Sequence, residues 1–468
     1  MTIRPSEPAA VTENKSGDEF VDGFNRYRWI ICALIFFATT INYIDRQILS
    51  LLKPMLDEQL KWSNEQFGYV NSAFQGAYGI GLLTFGWFVD KYGTKLGYAV
   101  SIVAWSLSAI AHAAVGSVGG FINVRIALGL SEGGNFPSAI KAVALWFPKG
   151  ERALATSIFN SGTNVGPIIA PILVPAIALN WGWHWAFILA GLAGFVWLAF
   201  WIPLYREPGK VGDPSLIDPG SAGVSPTRSS VAWNINAPAG RRRSQGGQLD
   251  DDIKLRWSSL LKYRQTWSFI FAKFMTDPVW WFFLIWLPDY FKKTRGLDIK
   301  QSWIHLVTIY FTITVLSILG GWITGHLTRL GWSVTRARKT GMFIFACLVL
   351  PIFAVTKVGD WSAVLLIGLA GAAHQAWSAN LYTTVSDMFP NQAVASVVGL
   401  GGLAGATGGM LFPVYCGKIL DRFSAAGNIT AGYAILFSSC AFAYLVTFAV
   451  HHLLAPRFVQ LDFERNRL

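Results

Sequence analysis

The stretch Gly86-Trp87-Phe88-Val89-Asp90-Lys91-Tyr92-Gly93-Thr94-Lys95 has the spacing G-x-x-x-D-K-x-G-x-K and joins two apolar runs, 67–89 and 96–115. Each run is close to the ~20 residues an α-helix needs to cross about 30 Å of hydrocarbon. The stretch is therefore read as a tight polar turn between two spanning helices. Gly86 and Gly93 let helices approach closely, while Asp90, Lys91 and Lys95 can form a charge cluster that holds one conformation and releases in another. The turn reads as a gate on the cytoplasmic side.

The composition agrees with that reading. Of the 468 residues 53% are hydrophobic, 15% aromatic and only 14% charged, and the mean hydropathy is +0.41, whereas soluble domains carry about 25% charged residues. Apolar runs predict spans at 29–52, 67–89, 96–115, 119–145, 153–176 and 183–204, then at 267–290, 302–327, 340–356, 361–386, 394–420 and 431–453. The expected architecture is all-α and integral to the membrane, about twelve spans in two six-helix halves. The domain plan is a tail 1–28, a first half 29–204, a central loop 205–266, a second half 267–453 and a tail 454–468.

A formal charge of +12 does not point to nucleic acid. The basic residues gather in short connections on one side of this layout (Arg26 and Arg28; Lys91 and Lys95; Lys149 and Arg152; Arg336, Arg338 and Lys339; Arg457), so the positive-inside rule puts both termini in the cytoplasm. The chief exception is the connection with Lys292, Lys293 and Arg295. Residues 1–25 carry acids and lack the pattern of a signal peptide, and read as a loose cytoplasmic tail. Cys32, Cys347, Cys416 and Cys440 lie in or beside apolar segments without metal-ligand spacing, so no disulfide framework, metal site or cofactor is expected.

The central loop is rich in Pro, Gly, Ser and charge and cannot bury enough apolar surface to fold alone. Its Arg241-Arg242-Arg243 reads as solvated positive-inside charge. Around it the halves repeat: "WFPKGERALATSIFNSGTNVGPIIAP" (146–171) aligns without a gap with "MFPNQAVASVVGLGGLAGATGGMLFP" (388–413), pairing Phe147 with Phe389, Gly166 with Gly408 and Pro171 with Pro413. Such repeats are common in transporters, whose substrate site lies near the midplane between them. The second-half counterpart of the gate, "GGWITGHLTRLGWSVTRARK" (320–339), keeps glycines and bases but has Thr324-Gly325 in place of an acid.

In "INYIDRQILS" (41–50) an oily helix carries Asp45 and Arg46. A charge at a span's centre costs roughly 2.5–3.5 kcal/mol on the insertion scale, so the pair needs either a structural partner or a function. Adjacent residues point about 100° apart on a helix, so each needs a partner elsewhere. Arg125 and Glu132, seven apart on one face of the fourth span, are the first candidates. Two acids and two arginines suit a proton-coupled anion carrier: Asp45 and Glu132 to take and release protons, Arg46 to grip a carboxylate with two parallel hydrogen bonds, and Arg125 to bias Glu132 or bridge to Asp45. Two structural salt bridges are the competing reading.

Other polar residues in apolar runs suit a carbohydrate: Tyr43, Gln75, Tyr78, Asn160, Asn164, and in the tenth span His374, Gln375, Trp377, Ser378 and Asn380. Each also fits interhelical packing. Lys273 and Asp277, one turn apart, read as an i,i+4 ion pair. Pro278 and Pro288 mark bends. "GLGGLAGATGG" (399–409) lacks the lysine and flanking strand of a nucleotide loop and reads as close helix packing.

The gate motif and the two-half layout resemble the major facilitator superfamily. "INYIDRQ", "RIALGLSEGGNFP" (125–137), "WFPKGERALA" (146–155), "DPVWWFFLIWLPDYF" (277–291) and "HQAWSANLYTTVSDMFP" (374–390) are similar to its anion:cation symporter branch, and within it to bacterial hexuronate transporters. The resemblance implies a monomeric carrier in the bacterial inner membrane that imports a sugar acid with protons by alternating access. It implies coupling roles at Asp45 and Glu132, and a substrate cavity at Tyr43, Arg46, Tyr78, Asn164 and the tenth-span set. An aldonate symporter and an uncoupled organic-anion facilitator or exchanger are the alternatives within transport. A membrane enzyme would need a catalytic constellation that the sequence does not offer, and a sensor of carrier architecture would bind without accumulating substrate.

Overall fold

The computed structural model describes residues 15–147, 151–206 and 257–461. Among these residues fourteen α-helices follow one another: α1 (Lys15–Leu60), α2 (Asn64–Tyr92), α3 (Thr94–Ala111), α4 (Val118–Glu132), α5 (Asn135–Trp146), α6 (Arg152–Trp181) and α7 (Trp183–Leu204), then the short α8 (Trp257–Leu260), α9 (Arg264–Arg295), α10 (Ile299–Arg329), α11 (Val334–Val349), α12 (Asp360–Met388), α13 (Asn391–Ala425) and α14 (Ile429–Leu454). No strand occurs among the described residues. Residues 1–14, 148–150 with Lys149, 207–256 of the central loop with its arginine triplet, and 462–468 lie outside them.

Eight of these helices are long and apolar enough to cross a membrane. The other four expected spans coincide with α2, the α4–α5 pair, α10 and α12. Sequence-local chemistry sets many ends. Ser63 opens α2 with a reciprocal capping box to Gln66, and Asp298, Ser333 and Asn428 cap α10, α11 and α14 with their side chains. Gly93, at φ 90°, ends α2 and opens α3 in one residue, a backbone conformation that only glycine adopts without strain.

Three expectations need correction. The helix of the first span begins at Lys15, inside the segment read as a loose tail. The ninth span ends its α-helix at Val349 and continues as a 3-10 helix over Leu350–Lys357, where Pro351 cannot donate to the α-ladder. The fourth span is broken. It stops at Glu132 and restarts at Asn135, because Gly133 and Gly134 fit where no side chain would: a Cβ on Gly133 would strike the backbone of Gly81 and Leu82, and one on Gly134 would strike Ser101 and Phe85.

The internal repeat is visible in space. Phe147 and Phe389 each end a helix in extended conformation, at φ −113°, ψ 135° and φ −119°, ψ 143°. Gly166 seats α6 on α1 against the Thr40 carbonyl, Tyr43 and Ile44, and Gly408 seats α13 on α9 against the Phe274 carbonyl and Pro278. The helices α1 and α9 are thus counterparts in the two halves.

The halves meet unevenly. Buried apolar residues of the first half near the Leu60 end, such as Leu52, Trp62, Phe67 and Val70, share one core with the second half, whereas those at the opposite end, such as Tyr98, Trp105, Trp197 and Trp201, form a core of their own. Along α2 and α13 the same gradient holds: Gly68 packs on Pro413 and Gly417 on Asn64, but Gly86 and Gly402 have no atom within 4 Å of where a Cβ would be. The Leu60 end is closed, and the two helices diverge toward the other.

Candidate functional site

Four ionisable side chains gather inside the first half. Asp45 and Arg46 come from α1, Arg125 and Glu132 from α4, and all four are buried. Arg46 Nε donates to Glu132 Oε2 at 2.8 Å, and both side chains are at most 4% exposed. Arg125, which the sequence suggested would bias Glu132 or bridge to Asp45, lies within electrostatic range of both acids, while the hydrogen bond to Glu132 comes from Arg46. The α4 break accounts for the place of Glu132. As the last residue of α4 it sits at the negative end of a helix dipole, where a carboxylate is disfavoured, and the Arg46 guanidinium offsets that.

Much hydrogen-bonding capacity in the cluster is unspent. Asn42 approaches the Glu132 carboxylate, but among the described residues no partner is found for either Asp45 oxygen, Arg46 Nη2, Arg125 Nε and Nη2, or Asn164 Oδ1. Buried polar atoms left unpaired cost about 1–3 kcal/mol each, so such a concentration marks a place built to bind or to rearrange.

Aromatic rings hold the guanidinium groups. The Arg46 guanidinium lies 4.4 Å from the centre of the Tyr78 ring, 4.8 Å from Tyr43, 5.4 Å from Phe74 and 5.5 Å from Trp281 of the second half. Arg125 lies 5.4 Å from Phe74, which thus serves both arginines. A cation within ~6 Å of a ring centre is attracted by its quadrupole. Gln75 is buried and close to Gly409, which also contacts Trp281.

The other expected residues divide into groups. Asn164 is half-buried and Asn160, one turn away, is exposed. In α12, Gln375 and Ser378 are half-buried. His374 is buried, its Nδ1 is 2.6 Å from the Tyr444 hydroxyl, and its ring stacks on Trp280. Trp377 is buried edge-on to Tyr444. Asn380 accepts from Arg338 Nη1 at 3.3 Å and donates to the Ala376 carbonyl. The contacts of His374 and Trp377 therefore run into the second half, toward α14.

Lys273 and Asp277 form the expected pair at 2.7 Å. In the gate turn, however, Asp90 is joined to Lys141 of α5 at 2.9 Å, and Lys141 also donates to the Val89 carbonyl. Lys91 instead lies over the rings of Trp87 and Tyr92. The acid of the turn thus bridges α2 to α5 through Lys141 and does not pair with Lys91.

Residues 35–413 match the family pattern described as Major Facilitator Superfamily. This chain belongs to that superfamily. It is a multi-pass membrane transporter and not an enzyme. It is 29% identical over 416 residues to the hexuronate transporter of Escherichia coli (strain K12), with 88% of this chain and 90% of the relative covered. It is 25% identical over 416 residues to the D-galactonate transporter of Escherichia coli O6:H1, covering 86% and 91%. In fold it matches a bacterial homologue of the human lysosomal transporter Spinster in an inward-facing, unoccupied conformation, with TM-score 0.69 at 16% identity, covering 92% of this chain and 98% of that one.

Within this superfamily member, sequence reading missed a second charged network at the closed end. Lys53 Nζ contacts Asp289 Oδ1 at 2.9 Å, Asp57 at 2.7 Å and Asn64 at 3.1 Å. Asp289 also accepts from the Tyr433 hydroxyl and pairs with Lys293, which reaches Asp57 and Asn64. Asp421 of α13 caps the start of α2 through the backbone NH groups of Asn64 and Glu65. The one available signal was Asp289 within the apolar run "WLPDYF". Two bases of the connection 292–295 have partners here: Lys293 belongs to this network, and Arg295 donates to the Val355 carbonyl and pairs with Asp360.

Proposed function

We propose that this transporter is a proton-coupled symporter that imports a sugar acid, a hexuronate first of all, by alternating access. The observation that carries the reading is the Arg46–Glu132 pair beside an Asp45 and an Arg125 with unspent hydrogen-bonding groups. With all four ionised the cluster is neutral. Adding a proton to an acid leaves one net positive charge, so a monoanion can then be held without leaving a buried charge unmatched. Arg46 freed from Glu132 offers a carboxylate its planar fork of donors, and Tyr43, Tyr78 and Trp281 supply aromatic faces for the sugar carbons.

The relatives named for hexuronate and galactonate support the substrate class. With both termini in the cytoplasm of a bacterial cell, the end closed by Lys53 and Asp289 faces outward, and the divergence of α2 and α13 opens toward the cytoplasm. Proton and substrate would enter together from outside and leave together inside, after which the neutral Arg46–Glu132 pair reforms. The galactonate relative favours an aldonate as the second reading.

Uptake of radiolabelled glucuronate and galactonate into proteoliposomes, with and without an inwardly directed proton gradient, tests this. Accumulation of glucuronate driven by the gradient is expected. Preference for galactonate would move the substrate to the aldonates, and flux indifferent to the gradient would reject coupling.

A further inference from the structure

The second half carries its own pair of opposite charges on the helix face that presents Trp281 to Arg46. Lys273, Asp277 and Trp281 recur at intervals of four on α9 and so share one face. Lys273 Nζ is 2.7 Å from Asp277 Oδ2 and donates to the Tyr382 hydroxyl of α12 at 2.9 Å. Trp281, one turn further, is the second-half residue that touches the Arg46 guanidinium. The matched seats of Gly166 and Gly408 pair Thr40 with Phe274 and hence Tyr43 with Asp277, which stand at equivalent levels of their halves. Tyr382 and Tyr43 are within electrostatic range of each other across the interface.

Exposure separates the members of this cluster. The Lys273 side chain is 5% exposed and the Asp277 side chain 21%, and Tyr382 is 39% exposed. An acid present only to neutralise a buried ammonium needs no open side. Here the ammonium is enclosed, while the carboxylate, whose Oδ2 also faces Gly405 of α13, keeps part of its surface open and the phenol is exposed. An accessible carboxylate accepts hydrogen bonds from hydroxyl groups and repels another carboxylate.

We propose that Asp277 is a specificity-determining residue that reads the end of the substrate remote from Arg46: it accepts hydroxyl groups of a monoanionic sugar acid and excludes the corresponding sugar diacid. Lys273 positions the Asp277 carboxylate and the Tyr382 hydroxyl, and Tyr382 adds a donor and acceptor beside them. This rests on the sugar-acid reading above and deepens it, since it assigns the charge of the substrate as well as its class.

The test is competition in proteoliposomes. Uptake of labelled galacturonate and of labelled galactonate is measured against unlabelled monoacid and against galactarate, the diacid of the same carbon skeleton. In the wild type the diacid should compete at least about tenfold more weakly than the monoacid. Asp277→Asn keeps the shape, removes the repelling charge and leaves Lys273 to attract a second carboxylate, so the gap should close by about tenfold. The double variant Lys273→Gln/Asp277→Asn, which leaves no unmatched charge, serves where the single variant does not assemble, and it too should lose discrimination. Equal competition by the diacid in the wild type, or an unchanged ratio in either variant, overturns the inference and leaves sugar-acid transport standing. Failure of the wild type to take up either monoacid rejects the transport reading and this inference together.

Discussion

Lys53 Nζ stands 2.9 Å from Asp289 Oδ1, a buried ion pair between residues 236 apart in sequence and on opposite halves of the transporter. Its surroundings satisfy both partners: Asp57 and Asn64 on the lysine, Lys293 and Tyr433 on the aspartate. Nothing within either half requires this pair, and parting the halves at this end must break it. Removing one partner of a buried pair costs about 3–5 kcal/mol, and here that cost falls on the closed conformation alone.

Asp289→Asn should therefore shift the resting population toward opening at the Leu60 end and slow uptake. Spin labels at the exposed positions Glu58 and Lys300, which flank the network on the two halves, should report a longer separation in the variant. Distances identical to wild type would show that the pair does not hold this end shut. Lys53→Gln combined with Asp289→Asn, which leaves no lone charge, should recover part of the lost uptake.

Arg46→Lys should abolish uptake while the protein still assembles. Lysine retains the charge near Glu132 but not the planar fork that can pass from Glu132 to a substrate carboxylate. Losing the charge-assisted fork costs about 3 kcal/mol, or about a hundredfold in binding, which calorimetry with glucuronate would read. Binding within tenfold of wild type would remove Arg46 from the substrate site.

Asp45→Asn and Glu132→Gln test coupling, and the sign follows from charge. If a protonated acid is the form that accepts the anion, wild-type affinity for glucuronate rises as pH falls, for as long as the sugar acid itself stays ionised. A variant fixed in the neutral form should bind with little pH dependence, lose gradient-driven accumulation and retain exchange of labelled for unlabelled substrate. Accumulation that survives in both variants would move the proton site elsewhere.

How much of this was legible in the sequence depends on how local each signal is. Asp45, Arg46, Arg125 and Glu132 stand out because charge is rare in apolar runs, and their gathering in one cluster follows from helices brought together by the fold. That Arg46 pairs with Glu132 was not legible, since the α4 break that sets the position of Glu132 depends on the backbone of α2 lying against Gly133. Glycines in an apolar run look alike whether they pack a helix or interrupt one. Phe74 and Trp281 were hidden for a similar reason, as aromatic residues among aromatic residues. Lys53 sits near the end of its span, where a lone charge reads as interfacial, and nothing in its neighbourhood points to Asp289.

Two glycines of the first half should behave oppositely on substitution by alanine. A Cβ on Gly133 would fall within 3.0 Å of the Gly81 and Leu82 backbone, which cannot yield as a flexible side chain does, whereas one on Gly86 meets no atom within 4 Å. Overpacking of this kind costs about 1–3 kcal/mol, so Gly133→Ala should lower the melting temperature of the purified transporter by several degrees and disturb the site, because Glu132 is the preceding residue. Gly86→Ala should leave the melting temperature unchanged. It should still slow transport, because Gly86 lies where α2 and α13 diverge and must come together when that end closes. Fluorescence-monitored unfolding and uptake rates on the two variants separate the effects. A destabilised Gly86→Ala would mean that this end is already packed in the resting protein, and a Gly86→Ala with normal stability and normal uptake would mean that closure does not need the close approach its missing side chain permits.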